Sequence, residues 1–401
     1  MFETIATAPP DAILGLSAAF RADTNVDKIN LGVGVYKDAD GKTPVMKAVK
    51  AAEKQLWDTQ ASKSYKPIAG DSAYTDAARA LLLGSDSPLI ASGRAVTVAS
   101  PGGTGALRIV GDFLKQHRPG ATIWLSTPTW ANHPAIYKAA GVPTKTYAYY
   151  DAARNALDID AMLASLAEVP EGDVVMLHGC CHNPTGVDPT PEQWQRIAEA
   201  LAAVKAVPLI DFAYQGLGAG LDEDAAGLRT VLAHNDEALV CSSFSKNFGL
   251  YNERVGALTA IARQAEHAQA ALSQIRLCIR RNYSNPPAHG DTVVQMVLTD
   301  AELRAAWLAE LDEMRARING MRAKFRAELD RRGIELNPAG NQFITEQNGM
   351  FSFSGLGREQ VDRLREEFSI YIVGSGRINV AGITDSNLGR LCDALAQVVN
   401  G

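Results

Sequence analysis

Short apolar runs alternate with amphipathic helical stretches from Val96 to Ile261, and few folds accept that pattern. The runs lie at residues 95–99, 122–126, 174–178, 208–211, 239–243 and 255–260. Most are bounded by Gly or Pro and show no polar face, the mark of buried parallel strands rather than half-exposed ones. A helix is expected between them at residues 190–206. There Thr190 and Gln193 form a capping-box pair, Pro191 suits the first helical position, and Trp194, Ile197, Leu201 and Val204 share a face. The expectation is an α/β fold with an open, mostly parallel sheet flanked by helices.

The period changes after residue 300. Leu303, Trp307, Leu311, Met314, Ile318, Met321, Phe325 and Leu329 recur every three or four positions, and Gly333 closes the run. One long helix is expected there, bridging two domains. Strand-like runs at 350–353 and 377–381, with a helix at 358–368, read as a smaller α+β domain that the first few dozen residues complete. A length of 401 residues has room for both. The boundaries expected are 46–315 for the large domain, and 1–45 with 316–401 for the small one.

A net charge of −6 argues against nucleic acid as the main partner. Cysteines 180, 181, 241, 278 and 392 show no paired spacing, which fits a reducing compartment. Met1-Phe2-Glu3-Thr4 lacks the basic start and apolar core of a signal peptide, and no apolar run is long enough to span a membrane. The localisation expected is cytoplasmic.

Ligands of open α/β sheets bind beyond the carboxyl ends of the strands, so the residues after each strand carry the chemistry. After the first comes Pro101-Gly102-Gly103-Thr104-Gly105, a turn entering a helix. It suits an anion, or is simply a tight connection; it is neither a P-loop nor a dinucleotide fingerprint. Next comes Trp130, a core residue or a platform for a heterocycle. His178, Cys180, Cys181 and His182 match no common zinc spacing, and buried thiols with hydrogen-bonded histidines are expected instead of a metal. Asn183 follows them. Asp211 ends a strand, with Tyr214 close behind. That aspartate is a helix cap or a carboxylate holding a proton on a ligand nitrogen.

The strongest signal is Ser243-Phe244-Ser245-Lys246, with Arg254 eight positions further on. A lysine at a strand end is costly to bury, but once desolvated it loses its proton and attacks carbonyls. Hydroxyls and an arginine beside it suit a phosphate. Lysine plus phosphate grip is what pyridoxal 5′-phosphate (PLP) requires.

The motifs Cys181-His182-Asn183-Pro184-Thr185-Gly186, Asp211-Phe212-Ala213-Tyr214-Gln215-Gly216, Ser243-Phe244-Ser245-Lys246-Asn247 and Asn282-Tyr283-Ser284-Asn285-Pro286-Pro287 are jointly specific. With them the chain, from Ile13 to Gly382, resembles the fold-type-I PLP aminotransferases of class I, in the aspartate and aromatic subgroup. The resemblance implies that Lys246 would carry PLP as a Schiff base and then move a proton. Asp211, backed by His133, would pair with the ring nitrogen. Tyr214 and Asn183 would bond the ring's phenolic oxygen, and Trp130 would stack on the ring. Gly103, Thr104, Ser243, Ser245 and Arg254 would bind the phosphate, joined by Tyr65 from the second subunit of a homodimer. Arg377, with Asn183 and the backbone of Gly34, would take the substrate's α-carboxylate. Arg280, again from the partner subunit, would take the side-chain carboxylate, with Arg281 as its rival.

The implied reaction is a ping-pong transfer between amino acids and 2-oxo acids. The rim positions Val35, Lys37, Thr43, Thr104 and Asn285 follow the aspartate-selective pattern, while Ser64 and Lys66 depart from it. Aspartate is the expected main donor and 2-oxoglutarate the acceptor. An aromatic aminotransferase is the near alternative, and a PLP-dependent lyase or decarboxylase a remote one.

Overall fold

The computed structural model describes residues 2–8 and 14–400. Met1, residues 9–13 and Gly401 belong to the expected small domain but lie outside the described residues; so does Ile13, where the resemblance begins.

Seven strands form the central sheet: β1 (Ala95–Pro101), β2 (Ile123–Thr127), β3 (Thr144–Ala148), β4 (Val174–His178), β5 (Val207–Phe212), β6 (Ala238–Ser243) and β7 (Val255–Ile261). Their order across the sheet is β1-β7-β6-β5-β4-β2-β3. Alternate side chains enter opposite apolar layers: Val174 and Met176 join one, Val175 and Leu177 the other. Burial on both faces is why these strands read as unbroken apolar runs.

Two features add to the sequence reading. Strand β3 was not expected; it is an edge strand whose Thr144, Lys145 and Thr146 are exposed, so it lacks the apolar run that marks the others. Strand β7 runs antiparallel to both β1 and β6, whereas every other pairing is parallel. A strand covered on both faces carries no sign of its direction.

Three helices matter for the site: α1 (Gly102–His117), α2 (Pro191–Val204) and α3 (Ala301–Arg331). The capping box of α2 is formed in both directions, Gln193 N–H to Thr190 Oγ1 and Thr190 N–H to Gln193 Oε1. Thr190→Ala is expected to cost about 1 kcal/mol, read as a lower midpoint in urea unfolding.

Helix α3 spans both apolar bodies. Its first part, from Leu303 to Ile318, packs into a layer against the central sheet. Its second part, with Met321, Phe325 and Leu329, packs into a separate cluster with Ile29, Ile344, Ile370 and Leu395. The buried Trp307 stacks on Phe248 at 4.5 Å, and its indole N–H donates to the carbonyl of Asn247 at 2.8 Å. The long helix thereby pins the loop that carries Lys246.

Around that second cluster, Ile29–Asn30 pairs in parallel with Ile370–Tyr371, and Phe351–Phe353 pairs antiparallel with Arg377–Asn379. The strand expected to reach residue 381 stops at Asn379. Its side chain accepts from Ala381 N–H and turns Val380–Gly382 into a single 3-10 turn.

Candidate active site

The carboxyl ends of β1, β2, β4, β5 and β6 converge on a cavity of about 330 Å³. Gly103, Thr104, Trp130, Asn183, Asp211, Tyr214, Ser243, Ser245, Lys246 and Arg254 line it from the large sheet, and Gly34 and Arg377 close it from the other side.

One end of the cavity is built for an anion. Helix α1 starts there with no side-chain cap on its first N–H groups, so its dipole faces the cavity unopposed. Gly102, at φ +73, lets the Arg254 guanidinium close in: a β-carbon there would sit 2.5 Å from Nη2. Arg254 is held by its bond to the Tyr251 carbonyl at 2.9 Å, and the Ser243 hydroxyl donates to Ser245 Oγ at 3.2 Å.

Lys246 extends into the middle, its Nζ 4.9 Å from the centre of the Tyr214 ring. Burial brings its pKa down to about 8; Arg254 and Arg377 add to that, and Asp211 opposes it. Burial also raises the Tyr214 hydroxyl.

Asp211 would be raised by burial alone, but the His133 hydrogen bond and nearby positive charge outweigh it and hold the carboxyl below its usual range. The proton on that hydrogen bond can be placed. Asn183 N–H donates to His178 Nδ1 at 3.3 Å, so the proton of His178 lies on Nε2 and is donated to Thr129 Oγ1 at 3.2 Å. The threonine hydroxyl also bonds His133 Nδ1 at 2.8 Å, and His133 Nε2–H donates to the ionised Asp211 Oδ2 at 3.0 Å. Burial, with His133 beside it, takes His178 down to about 3, so His178 is neutral at pH 7 and lends Asp211 no charge. Lys246 adds positive charge that also favours the ionised carboxyl.

At the far wall Arg377 is almost fully buried and, among the described residues, has no carboxylate partner. Nη1 donates to Asn183 Oδ1 at 3.0 Å and Nη2 to the Gly32 carbonyl at 2.7 Å. The guanidinium lies 4.0 Å from the Phe351 ring centre, and burial lowers its pKa to about 10. Nη1 and Nη2 each carry a second hydrogen for a bound carboxylate, while Nε is buried and unpaired among the described residues.

Three expected residues lie away from this cavity. Tyr65 is 93% exposed, and Arg280 and Arg281 are exposed at the end of the helix Ala265–Asn282. Arg280 contacts Ser284, and Arg281 donates to Gln116 at 3.0 Å. Cys180, Cys181 and Asp224 come together elsewhere, with ligand atoms within 4.8 Å of one another. The carboxylate is already filled by the N–H groups of Gly216, Gly218 and Ala219, and both thiols are raised, Cys180 mainly by its burial; both facts oppose metal ligation.

Sequence reasoning missed Tyr251 and Phe351, which line the cavity, and the Thr129–His178 link behind it. Tyr251 lies in the lysine segment and could have been marked as its neighbour. Phe351 carries no local signal, since only strand pairing brings it under Arg377.

The cavity fits PLP: an uncapped helix end and an arginine for phosphate, a flat aromatic wall, a lowered carboxyl and a low-pKa lysine. The profile of the family "Aminotransferase class I and II" matches residues 26–395. The aspartate aminotransferase of Haemophilus influenzae is 56% identical over 399 residues, covering 100% of both chains. The aromatic-amino-acid aminotransferase of Pseudomonas aeruginosa is 47% identical over 397 residues, 99% of this chain and 98% of that one. The crystal structure of the aromatic-amino-acid aminotransferase of Burkholderia pseudomallei, covalently bound to pyridoxal phosphate, superposes with a TM-score of 0.96 at 49% identity, covering 100% of this chain and 99% of that one. The chain belongs to the class I and II aminotransferase family. It is a PLP-dependent transaminase, and its relatives divide between aspartate and aromatic amino acids.

Proposed function

We propose that this transaminase takes aspartate as its main amino donor and 2-oxoglutarate as acceptor, in a ping-pong cycle. Arg377 carries the reading: a buried guanidinium with no carboxylate partner among the described residues, lining the same cavity as Lys246, is a socket for the α-carboxylate of an amino or 2-oxo acid. The aspartate preference is supported by the polar rim, with Lys37 and Thr43, and by the 56%-identical aspartate aminotransferase. The aromatic alternative is supported by apolar walls at Leu107, Trp130 and Phe351.

In this reading Arg254, Ser243, Ser245, Thr104 and the N–H groups from Gly103 onward hold the cofactor phosphate. Trp130 covers the ring, Asp211 holds the proton on its nitrogen, and Tyr214 and Asn183 donate to its phenolic oxygen. PLP, when bound, supplies a carbonyl that takes up the amino group and a ring that stores the electron pair left on Cα. Lys246 then works as a base. With its nitrogen free, the amine would hold and move the proton of the substrate's Cα. Its low pKa suits it to both directions. Arg377, Asn183 and the Gly34 N–H fix the α-carboxylate, so that the Cα–H bond faces Lys246.

A homodimer completes the site in this proposal, with Tyr65 reaching the phosphate and Arg280 the distal carboxylate of the other subunit. The support is apolar surface on a single chain: Trp57 is 85% exposed and Tyr65 93%. Mixing inactive Lys246→Ala and Arg280→Ala chains is expected to restore aspartate activity. Half of the sites in each mixed dimer would carry both defects and half neither. No recovery after confirmed subunit exchange would sink the trans assignment.

The helix α3 hand-over near residues 318–321 supports the division into bodies at 46–315, and 1–45 with 316–401. Five free, buried cysteines support a reducing compartment, the cytoplasm, and among the described residues no helix is long and apolar enough to cross a membrane.

The substrate question is settled by kcat/KM for aspartate, tyrosine and phenylalanine with 2-oxoglutarate. Arg280→Ala is expected to lower the value for aspartate by about 10²-fold and that for phenylalanine far less. Equal losses would point to Arg281 or to another substrate class.

A further inference from the structure

The carboxylate socket is held in shape by a residue that does not touch the cavity. Arg377 and Asn379 are two apart on one strand, so their side chains leave the same face, while Ile378 between them joins the apolar cluster behind. Both reach the segment that carries Gly34. Arg377 Nη2 binds the Gly32 carbonyl, and Asn379 Nδ2 binds two others, Val33 O at 2.7 Å and Val35 O at 2.8 Å. Those carbonyls flank Gly34 on both sides. The Val33 carbonyl also takes the Val35 N–H at 3.0 Å, so Gly34 stands at the tip of a three-residue turn. Among the described residues the Gly34 N–H donates to nothing. Gly34 itself must be small: a β-carbon there would lie 2.9 Å from Phe351 Cζ, the ring on which Arg377 rests.

Asn379 has no freedom to be elsewhere. It is fully buried, its own N–H donates to the Leu31 carbonyl at 2.7 Å, and its Oδ1 accepts from Ala381 N–H at 3.1 Å. Both amide hydrogens and the amide oxygen are therefore engaged, and the side chain can hold only one orientation.

We infer that Asn379 is a positioning residue for substrate binding. By clamping the carbonyls on either side of Gly34 it aims the Gly34 N–H at the carboxylate that Arg377 binds, and it ties that N–H and the guanidinium to one strand as a single unit. The inference rests on the α-carboxylate reading of Arg377. Since every amino and 2-oxo acid substrate has that carboxylate, Asn379 acts on all of them alike, unlike Arg280.

Asn379→Asp and Asn379→Ser test it: both keep an acceptor for Ala381 N–H, aspartate loses the two donors, and serine keeps one at most, on a shorter side chain that cannot span both carbonyls. In the PLP-loaded dimer both are expected to raise KM for aspartate, phenylalanine and 2-oxoglutarate about tenfold, with kcat within about threefold of the parent. The Kd of an unreactive four-carbon dicarboxylate should rise in step. The cofactor's absorbance titration, which reports Lys246 and the ring, should not move. KM values within about twofold of the parent in the folded variants would overturn the inference, as would a fall in kcat at unchanged KM. Failure of both variants to fold would make Asn379 a folding residue only, and would overturn it too. Arg377→Ala runs beside them: an unchanged KM there would instead remove the carboxylate reading.

Discussion

Lys246→Ala is expected to abolish turnover, lowering kcat by at least about 10⁴-fold, and to leave PLP bound only by non-covalent contacts. The size follows from two roles lost together. Among the described residues that line the cavity Lys246 supplies the one amine, and it is the base closest to the substrate's Cα in the proposed geometry. Alanine leaves Arg254, Asp211 and Arg377 in place, so the protein should still fold and bind cofactor. Denaturing dialysis followed by absorbance separates the outcomes: the parent retains the cofactor after borohydride reduction and the variant releases it. A normal rate in the variant would end the reading.

The lowered pKa of Lys246 also has a sign that can be checked. Burial favours the neutral amine, with a midpoint near 8 in the cofactor-free protein. PLP capture by that apoprotein should therefore be fastest above about pH 8 and fall roughly tenfold for each unit below it. In terms of stability, a basic group depressed below its ordinary value near 10.5 penalises the folded state while it is charged. The penalty is full below about 8 and is relieved as pH rises from there toward the unfolded value. Stability of the apoprotein should rise with pH across that window relative to Lys246→Met. A flat difference between the two proteins would contradict the shift.

Asp211→Asn is expected to lose on the order of 10²- to 10³-fold in kcat with its fold intact. The carboxylate is held ionised despite its burial, and an amide of the same shape has no charge with which to hold a proton on the ring nitrogen. The fold should survive because His133 Nε2–H still finds an oxygen acceptor in asparagine, so the chain through Thr129 and His178 needs no new partner. Circular dichroism and PLP affinity should change little beside the loss of rate. Near-native turnover would remove Asp211 from the ring-nitrogen role.

How much of this was legible in the sequence depended on how local each signal was. Six of the seven central strands and the buried stripe of helix α3 were readable, because burial on both faces and a period near 3.6 leave their mark on consecutive residues. Strand β3 was not, since its exposed threonines and lysine look like loop. The strand-end residues Asp211, Ser243 and Lys246 could be named as a group because one rule of open sheets gathers such ends. Tyr65 and Arg280 stand outside the cavity of a single chain, and nothing local in the sequence marks that placement.

The sequence by itself determined the class of chemistry. A lysine, a strand-end aspartate and a glycine-rich helix start are demanded by covalent and charge requirements that few other residues meet. The tertiary structure alone decided the state of those groups. The pKa of Lys246 near 8, the ionised Asp211, its hydrogen bond with His133 and the burial of Arg377 each depend on neighbours distant in sequence. Desolvation and hydrogen-bond direction are properties of a folded surrounding, and no local pattern of residues encodes them.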